Sequence, residues 1–137
     1  MRLPGLGALK PLHRPWLWLG LWWLAIVLGI VVSLVPPPAV DAPQGSDKAV
    51  HFLCYGALAV GAVQLFATRA ALLRAAVGLV ALGVALELAQ EALTSTRMLD
   101  PRDAVAYTLG VLLGLLVART PLRDVLSRVD ARYPPRS

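Results

Sequence analysis

The sequence predicts an all-α, polytopic membrane protein with four transmembrane helices, and three observations carry this prediction. The chain has 137 residues, of which 58% are hydrophobic and only 15% are charged. A soluble domain of similar size carries about 25% charged residues. The mean hydropathy is high, at +0.68. Four apolar runs are long enough to cross a hydrocarbon core about 30 Å thick, so we expect a single integral membrane domain.

The four predicted spans are residues 16–35, 48–67, 73–93 and 101–118. The first contains no charge, and its length and tryptophan content favour a retained anchor over a cleaved signal peptide, whose apolar core is usually about 7–15 residues. The fourth is preceded by Asp100, the predicted N-cap, and starts with Pro101. Asp103 then places an acid in the first turn of that helix, where it favours the positive helix end.

The distribution of Lys and Arg predicts the orientation of the spans. Ten basic residues lie before the first span, around the connection of the second to the third, or after the fourth. The other end holds three, which are Lys48, Arg97 and Arg102. Both termini are therefore predicted to be cytoplasmic, in the bacterial cytoplasmic (inner) membrane. Because the basic residues avoid the apolar runs, we expect no nucleic-acid partner.

Predictions can also be made for the three longest segments outside the spans. Residues 1–15 form a cytoplasmic N-terminal segment, and residues 36–46 form a Pro-rich outer loop that should be extended. Residues 119–137 form a cytoplasmic tail, in which Thr120 is a plausible cap before a proline. Its apolar residues recur at helical spacing, at Leu122, Val125, Leu126 and Val129. This pattern predicts a short amphipathic C-terminal helix on the inner membrane surface, with arginines facing anionic lipid, or alternatively a solvated helical tail.

Polar side chains of three spans are predicted to meet in the outer leaflet. Lys48, His51 and Tyr55 are spaced three and four residues apart, so they share one face of the second helix. A charge inside the hydrocarbon costs about 2.5–3.5 kcal/mol on insertion scales, so such groups should face the bundle interior. The candidate binding residues of this shared pocket are Lys48, His51, Tyr55, Glu87, Gln90, Arg97, Asp103 and Tyr107.

Specific contacts are expected inside this pocket. His51 lies too deep to reach water, and Glu87 is its predicted partner. A purely structural arrangement would instead pair Lys48 with Glu87 and Arg97 with Asp103. Two glycines of the fourth helix, four residues apart at positions 110 and 114, should let a neighbouring helix approach closely.

The order of these residues resembles the VanZ-like family, small bacterial membrane proteins named for a teicoplanin-resistance protein. The resemblance lies within residues 47–118, which form the predicted VanZ-like core. The matching positions are Asp47, Lys48, His51, Phe52, Tyr55, Glu87, Gln90, Arg97, Asp103, Gly110 and Gly114. The family usually has Asn where this chain has Tyr107, so no role that needs an amide there is implied. The resemblance implies an envelope-associated membrane protein, sometimes linked to glycopeptide resistance, with no established reaction.

Three kinds of function fit these features. The pocket would bind an anionic lipid headgroup, a lipid-linked envelope precursor or a glycopeptide. Alternatively, the chain would be a membrane-embedded enzyme acting on a lipid or polyprenyl phosphate, with His51 and Glu87 as the candidate catalytic residues. No signature such as GxSxG or HExxH supports catalysis. In the third case, interhelical ion pairs would make the chain a structural scaffold.

Cofactors and assembly are only weakly constrained by the sequence. No cofactor is expected. A metal site from His51, Glu87 and Asp103 is disfavoured, because the pocket lacks a second His or a ligating Cys. Membrane lipid is the expected partner. Four short spans barely enclose a site, so a homodimer is left open.

Overall fold

All regular elements that the computed structural model describes are helical, within residues 6–35, 46–93 and 99–136. The long helices are α1 (Pro15–Leu34), α2 (Ser46–Leu65), α3 (Arg69–Leu93) and α4 (Pro101–Leu116), and the short α5 (Val125–Arg132) follows. Each of the four long helices, with α4 continuing to Arg119, is long and apolar enough to cross a membrane. The predicted all-α architecture with four spans is confirmed at this level.

Two helix starts are fixed by side-chain caps. The carboxylate of Asp100 accepts a hydrogen bond of 2.9 Å from the backbone N–H of Arg102, so the predicted cap of α4 is confirmed. The hydroxyl of Thr68 accepts a hydrogen bond of 3.1 Å from the backbone N–H of Ala71. As a result α3 begins at Arg69 rather than at residue 73. The hydropathy pattern left Arg69 outside the predicted span, whereas the cap at Thr68 determines where the helix itself begins.

The most extensively packed helices are α2 and α4. A Cβ atom on Gly110 would overlap the carbonyl of Phe52, and one on Gly114 would lie 2.6 Å from the carbonyl oxygen of Gly56. Both contacts join residues 58 positions apart in the sequence, so the two helices run in the same direction in a constant register. The predicted close approach at Gly110 and Gly114 is confirmed. Gly56 is a third small residue that permits it.

Helix α1 packs on α2 through Trp22. The indole N–H of Trp22 donates a hydrogen bond of 2.9 Å to the carbonyl oxygen of Leu58. Its ring lies against Gly61, where a Cβ atom would be 2.8 Å from Trp22 Cδ1. Most of the remaining surface of α1 is exposed and apolar, as expected for a helix that faces lipid.

The N-terminal segment, the connection between α2 and α3 and the tail meet at one end of the bundle, here called the terminal end. The backbone N–H of Lys10 donates to the carbonyl oxygen of Leu65 at 2.8 Å. The N–H of Ala67 donates to the carbonyl oxygen of Ala8, also at 2.8 Å. The first and last described segments of the chain therefore lie on the same side of the bundle, as expected for four spans. That this side is cytoplasmic stays a prediction from the charge count.

The tail starts with the predicted cap. The hydroxyl of Thr120 accepts a hydrogen bond of 3.3 Å from the backbone N–H of Leu122. A single 3₁₀ turn over Pro121–Asp124 then leads into α5. The amide side chain of Gln64 in α2 holds this turn, because it donates to the carbonyl oxygen of Leu122 at 2.8 Å and accepts from the N–H of Leu126 at 3.0 Å.

Helix α5 is also tied to the beginning of α1. The buried carboxylate of Asp130 accepts a hydrogen bond of 2.8 Å from the indole N–H of Trp18 and another from the backbone N–H of His13. Burial acts to raise the pKa of Asp130, but these hydrogen bonds outweigh it and lower the pKa. The amphipathic pattern placed Asp130 on the polar face, whereas the structure uses it to dock the tail onto the bundle.

Candidate functional site

A group of polar side chains from α2, α3 and α4 occupies the end of the bundle opposite the terminal end. We call it the polar cluster, and its members are Lys48, His51, Tyr55, Glu87, Asp100, Asp103 and Tyr107. Ion contacts, ring contacts or electrostatic interactions join six of these side chains, among them Asp100, which was not a predicted binding residue. His51 lies on the same face of α2 as Lys48 and Tyr55. Sequence reasoning treated Asp100 only as a helix cap, although its position one turn before Asp103 was a signal that both carboxylates share a side of α4.

Lys48 connects the start of α2 to the start of α4. Its ammonium nitrogen lies 3.2 Å from Oδ2 of Asp100 and 3.3 Å from Oδ1 of Asp103. The contact with Asp103 is a charge contact without hydrogen-bond geometry, since Oδ1 of Asp103 has no hydrogen-bond partner in the described ranges. The Lys48–Glu87 pair of the purely structural alternative is not among the ion pairs of the described residues. Because α2 packs mainly on α4 rather than on α3, the acids of α4 are the ones within reach.

Two tyrosines form the deeper part of the polar cluster. The rings of Tyr55 and Tyr107 are 5.0 Å apart between centroids and inclined by 35°, and both residues are buried. Tyr107 also lies against Gly83 of α3, where a Cβ atom would be 2.8 Å from its ring. Glu87 follows Gly83 by one turn and is close enough to interact electrostatically with both tyrosines and with Asp103.

Four buried polar atoms of the polar cluster have no hydrogen-bond partner among the described residues. They are Nδ1 of His51, Oε1 of Glu87, Oδ1 of Asp103 and Oη of Tyr107. A buried polar atom left unsatisfied costs about 1–3 kcal/mol. These atoms come from all three helices and lie at one end of the bundle, so a bound polar group or ordered water would relieve the cost for several of them together.

The predicted contact between His51 and Glu87 is not formed. Nδ1 of His51 and Oε1 of Glu87 both lack a hydrogen-bond partner, and no ion pair joins the two side chains within the described ranges. The two residues sit on helices that make few mutual contacts, since α2 turns its face toward α4. The arrangement therefore gives no preformed imidazole–carboxylate pair.

Two other predicted binding residues, Gln90 and Arg97, remain to be placed. Gln90 is buried, and its side-chain amide donates a hydrogen bond of 2.6 Å to the carbonyl oxygen of Ser33. Ser33 is in the last turn of α1, whose carbonyl groups have no partner within the helix, so Gln90 joins α3 to α1. Arg97 lies outside the described residues, and so does its predicted contact with Asp103.

The polar cluster contains more carboxyl groups than ammonium groups. Its carboxyl groups are those of Glu87, Asp100 and Asp103, while Lys48 supplies the one ammonium among its members. The backbone N–H of Arg102 and the ammonium group of Lys48 hold the pKa of Asp100 below its ordinary value. Asp100 is therefore ionised at neutral pH, and Lys48 is already compensated by carboxylate. Among the described residues, no group of three or more His, Cys, Asp or Glu side chains is arranged to hold a metal ion.

Comparisons of this chain with protein-family models, with curated proteins and with solved structures each found no match. The resemblance to the VanZ-like family therefore rests on the order and spacing of the motif residues, and family membership stays a prediction.

Proposed function

We propose that this chain is a VanZ-like, multi-pass protein of the bacterial cytoplasmic membrane that binds a polar envelope ligand at its polar cluster. The ligand would be the head of a lipid-linked envelope precursor or a glycopeptide that reaches the outer leaflet. The observation that carries this proposal is the set of four buried polar atoms on α2, α3 and α4 that have no hydrogen-bond partner among the described residues. A buried polar atom without a hydrogen-bond partner destabilises the protein in an apolar environment unless a ligand or water binds to it.

The chemistry of the polar cluster favours a ligand rich in hydrogen-bond donors. Oε1 of Glu87 and Oδ1 of Asp103 accept no hydrogen bond from the described residues, and hydroxyl or amino groups of a glycan or peptide could donate to them. A plain anionic headgroup is less favoured, because Lys48 already faces two carboxylates. A phosphate in the same molecule would have to be held at the rim, where Arg102 is exposed at the start of α4.

A structural scaffold is the second candidate, and one observation favours it. The contacts of Lys48 with Asp100 and Asp103 join α2 to α4 without any ligand. Catalysis by His51 and Glu87 gains less support, because no hydrogen bond connects the two side chains. An enzyme would need them to act on the ligand from separate positions.

Binding measurements on the purified protein in nanodiscs would test the proposal. The probes are a polyprenyl-diphosphate-linked muropeptide, teicoplanin and phosphatidylglycerol. Glu87→Gln should weaken binding of the muropeptide lipid or of teicoplanin about tenfold, since it replaces a carboxyl oxygen with an amide group that cannot accept a hydrogen bond there. Glu91→Gln is the matched control, because Glu91 is an exposed carboxylate on the same helix, and it should change binding less than twofold.

Two outcomes would contradict the binding proposal. Wild-type protein that binds none of the probes, while remaining folded, would favour the scaffold. Equal losses in the Glu87 and Glu91 variants would show that the polar cluster does not form the binding site.

A further inference from the structure

A basic groove lies at the terminal end of the bundle, where α4 gives way to the tail. The groove has a volume of about 620 Å³ and is lined by Arg119, Thr120, Pro121, Arg123, Asp124 and Arg128. We call it the basic notch. It lies at the opposite end of the bundle from the polar cluster. A ligand site in the basic notch is therefore independent of the function proposed for the polar cluster.

The negative charge of Asp124, the acid in the basic notch, is already balanced by ion pairs. Oδ1 of Asp124 lies 3.1 Å from the ammonium nitrogen of Lys10, and its Oδ2 lies 3.3 Å from Nε of Arg123. The hydrogen bond from Lys10 is the main reason that the pKa of Asp124 is lowered. Asp124 is therefore ionised and paired at neutral pH, and it leaves the remaining guanidinium groups uncompensated.

Two arginines of the basic notch are available for an anion. Arg119 is exposed and makes no hydrogen bond or ion pair with the other described residues. Arg128 donates from Nε to the carbonyl oxygen of Asp124 at 3.3 Å and from Nη2 to the carbonyl oxygen of Pro121. These bonds fix the position of the Arg128 guanidinium without neutralising its charge. A guanidinium held in this way is suited to phosphate oxygens.

The position of the basic notch relative to the fourth span identifies the anion. The apolar span runs from Pro101 to Arg119, so Arg119 is expected at the boundary between the hydrocarbon and the headgroups. Three apolar side chains of the tail next to the notch are exposed, and they are Leu122, Val125 and Val129. An ion from solution would leave these side chains uncovered, whereas the acyl chains of a lipid would cover them.

We propose that the basic notch binds the phosphate of an anionic phospholipid from the leaflet at the terminal end, with the acyl chains against the exposed apolar side chains of the tail. Arg119 and Arg128 contact the phosphate, and Thr120 lines the floor of the site. Basic residues at a membrane surface favour anionic over zwitterionic lipid by an amount that corresponds to about fivefold in affinity for each arginine.

Thermal unfolding of the full chain in neutral detergent would measure this binding. The additives are dioctanoyl-phosphatidylglycerol, dioctanoyl-phosphatidylcholine and sodium phosphate, each titrated over the same concentrations. Wild-type protein should show at least tenfold tighter apparent binding of the phosphatidylglycerol than of the phosphatidylcholine. The double variant Arg119→Gln/Arg128→Gln should lose at least tenfold in apparent affinity for the phosphatidylglycerol.

A matched control removes the same charge elsewhere at the terminal end. Arg69→Gln/Arg74→Gln replaces two exposed arginines of α3 and should change the apparent affinity less than twofold. Because Arg128 also supports the tail backbone, the single variant Arg119→Gln provides a second test. Arg119 has no partner among the described residues, so its replacement should leave the fold intact and weaken lipid binding about fivefold.

Three results would overturn the proposal. One is an absence of preference between the two lipids in wild-type protein. Another is an equal loss in the notch variants and in the α3 control, which would indicate a diffuse surface charge. The third is stabilisation by sodium phosphate as large as that by phosphatidylglycerol at equal concentration, which would assign the site to a free anion.

Discussion

The carbonyl group of Phe52 faces Gly110 so closely that no side chain fits between α2 and α4 at that point. One turn further along both helices, Gly114 meets the carbonyl oxygen of Gly56 in the same register. Through these contacts the backbones of α2 and α4, which run in the same direction, touch each other directly. The resulting register places Lys48, at the start of α2, within reach of the acids at the start of α4.

Gly110→Ala should destabilise the protein by about 1–3 kcal/mol, because the added methyl group would overlap the carbonyl of Phe52 and push the helices apart. Reversible unfolding in mixed micelles would measure the loss. Gly78→Ala is the control, since a Cβ atom there meets nothing within 4 Å. A loss of stability as large for Gly78→Ala as for Gly110→Ala would contradict the close approach.

Lys48 and Asp103 should show a coupling of about 1 kcal/mol in a double-mutant cycle of Lys48→Met and Asp103→Asn. Their charged atoms are 3.3 Å apart, and their side chains are only partly exposed. The same cycle with Lys48→Met and Glu87→Gln should give less than about 0.5 kcal/mol. Stronger coupling of Lys48 to Glu87 than to Asp103 would contradict the packing of α2 on α4 and would indicate that α2 packs mainly on α3.

The sequence predicted the helices because the bilayer constrains their length and composition. Four runs of about 20 mainly apolar residues predicted four helices of membrane-spanning length. The caps at Asp100 and Thr120 could be predicted from the local sequence. The glycines at 110 and 114 were also recognisable, because small residues four apart mark a helix contact. The spacing of the glycines did not predict which helix would pack against them.

Which side chains pair with one another depends on which helices pack together, and the hydropathy pattern does not determine this packing. Lys48 had acids at similar predicted depth on two helices, and only the packing of α2 on α4 selects Asp100 and Asp103. Asp130 accepts hydrogen bonds from residues 112 and 117 positions earlier in the sequence. No local pattern reports such a contact, so Asp130 resembled an ordinary residue of a polar helix face.

His51→Gln and Glu87→Gln should have additive effects on stability, within about 0.5 kcal/mol, because no bond connects the two side chains in the described structure. The sequence had suggested a direct pair, for which the double variant would recover what the single variants lose. Unfolding of both single variants and of the double variant in mixed micelles distinguishes the two cases. Recovery of stability in the double variant would show that His51 and Glu87 do form a direct pair.

The orientation of the bundle should follow the charge count. Reporter fusions after Arg74 and after Ser137 should give cytoplasmic signals, and a fusion near Gln44 should give an external signal, because ten of the 13 basic residues lie toward the terminal end. An external signal from the fusion after Ser137 would place the polar cluster on the cytoplasmic side and contradict the proposed access from the outer leaflet.

Docking of the tail should weaken in acid through Asp130. Its pKa in the folded protein lies below the ordinary value of 3.8, so the unfolded chain takes up a proton at a higher pH than the folded one. The contribution of Asp130 to stability is therefore complete above about pH 4 and is lost as the pH falls through the lowered pKa. Asp130→Asn removes this part of the pH dependence and leaves the indole N–H of Trp18 or the N–H of His13 without its anionic acceptor.

Hydrogen exchange at neutral pH would detect the same change directly. The backbone N–H of His13 donates to Asp130, so peptides covering the start of α1 should exchange faster in Asp130→Asn than in wild-type protein. Glu91→Gln, which replaces an exposed carboxylate near the other end of the bundle, should leave that exchange unchanged. Unaltered protection around His13 in Asp130→Asn would show that the tail is held mainly by Gln64 and by the contact of Lys10 with Asp124.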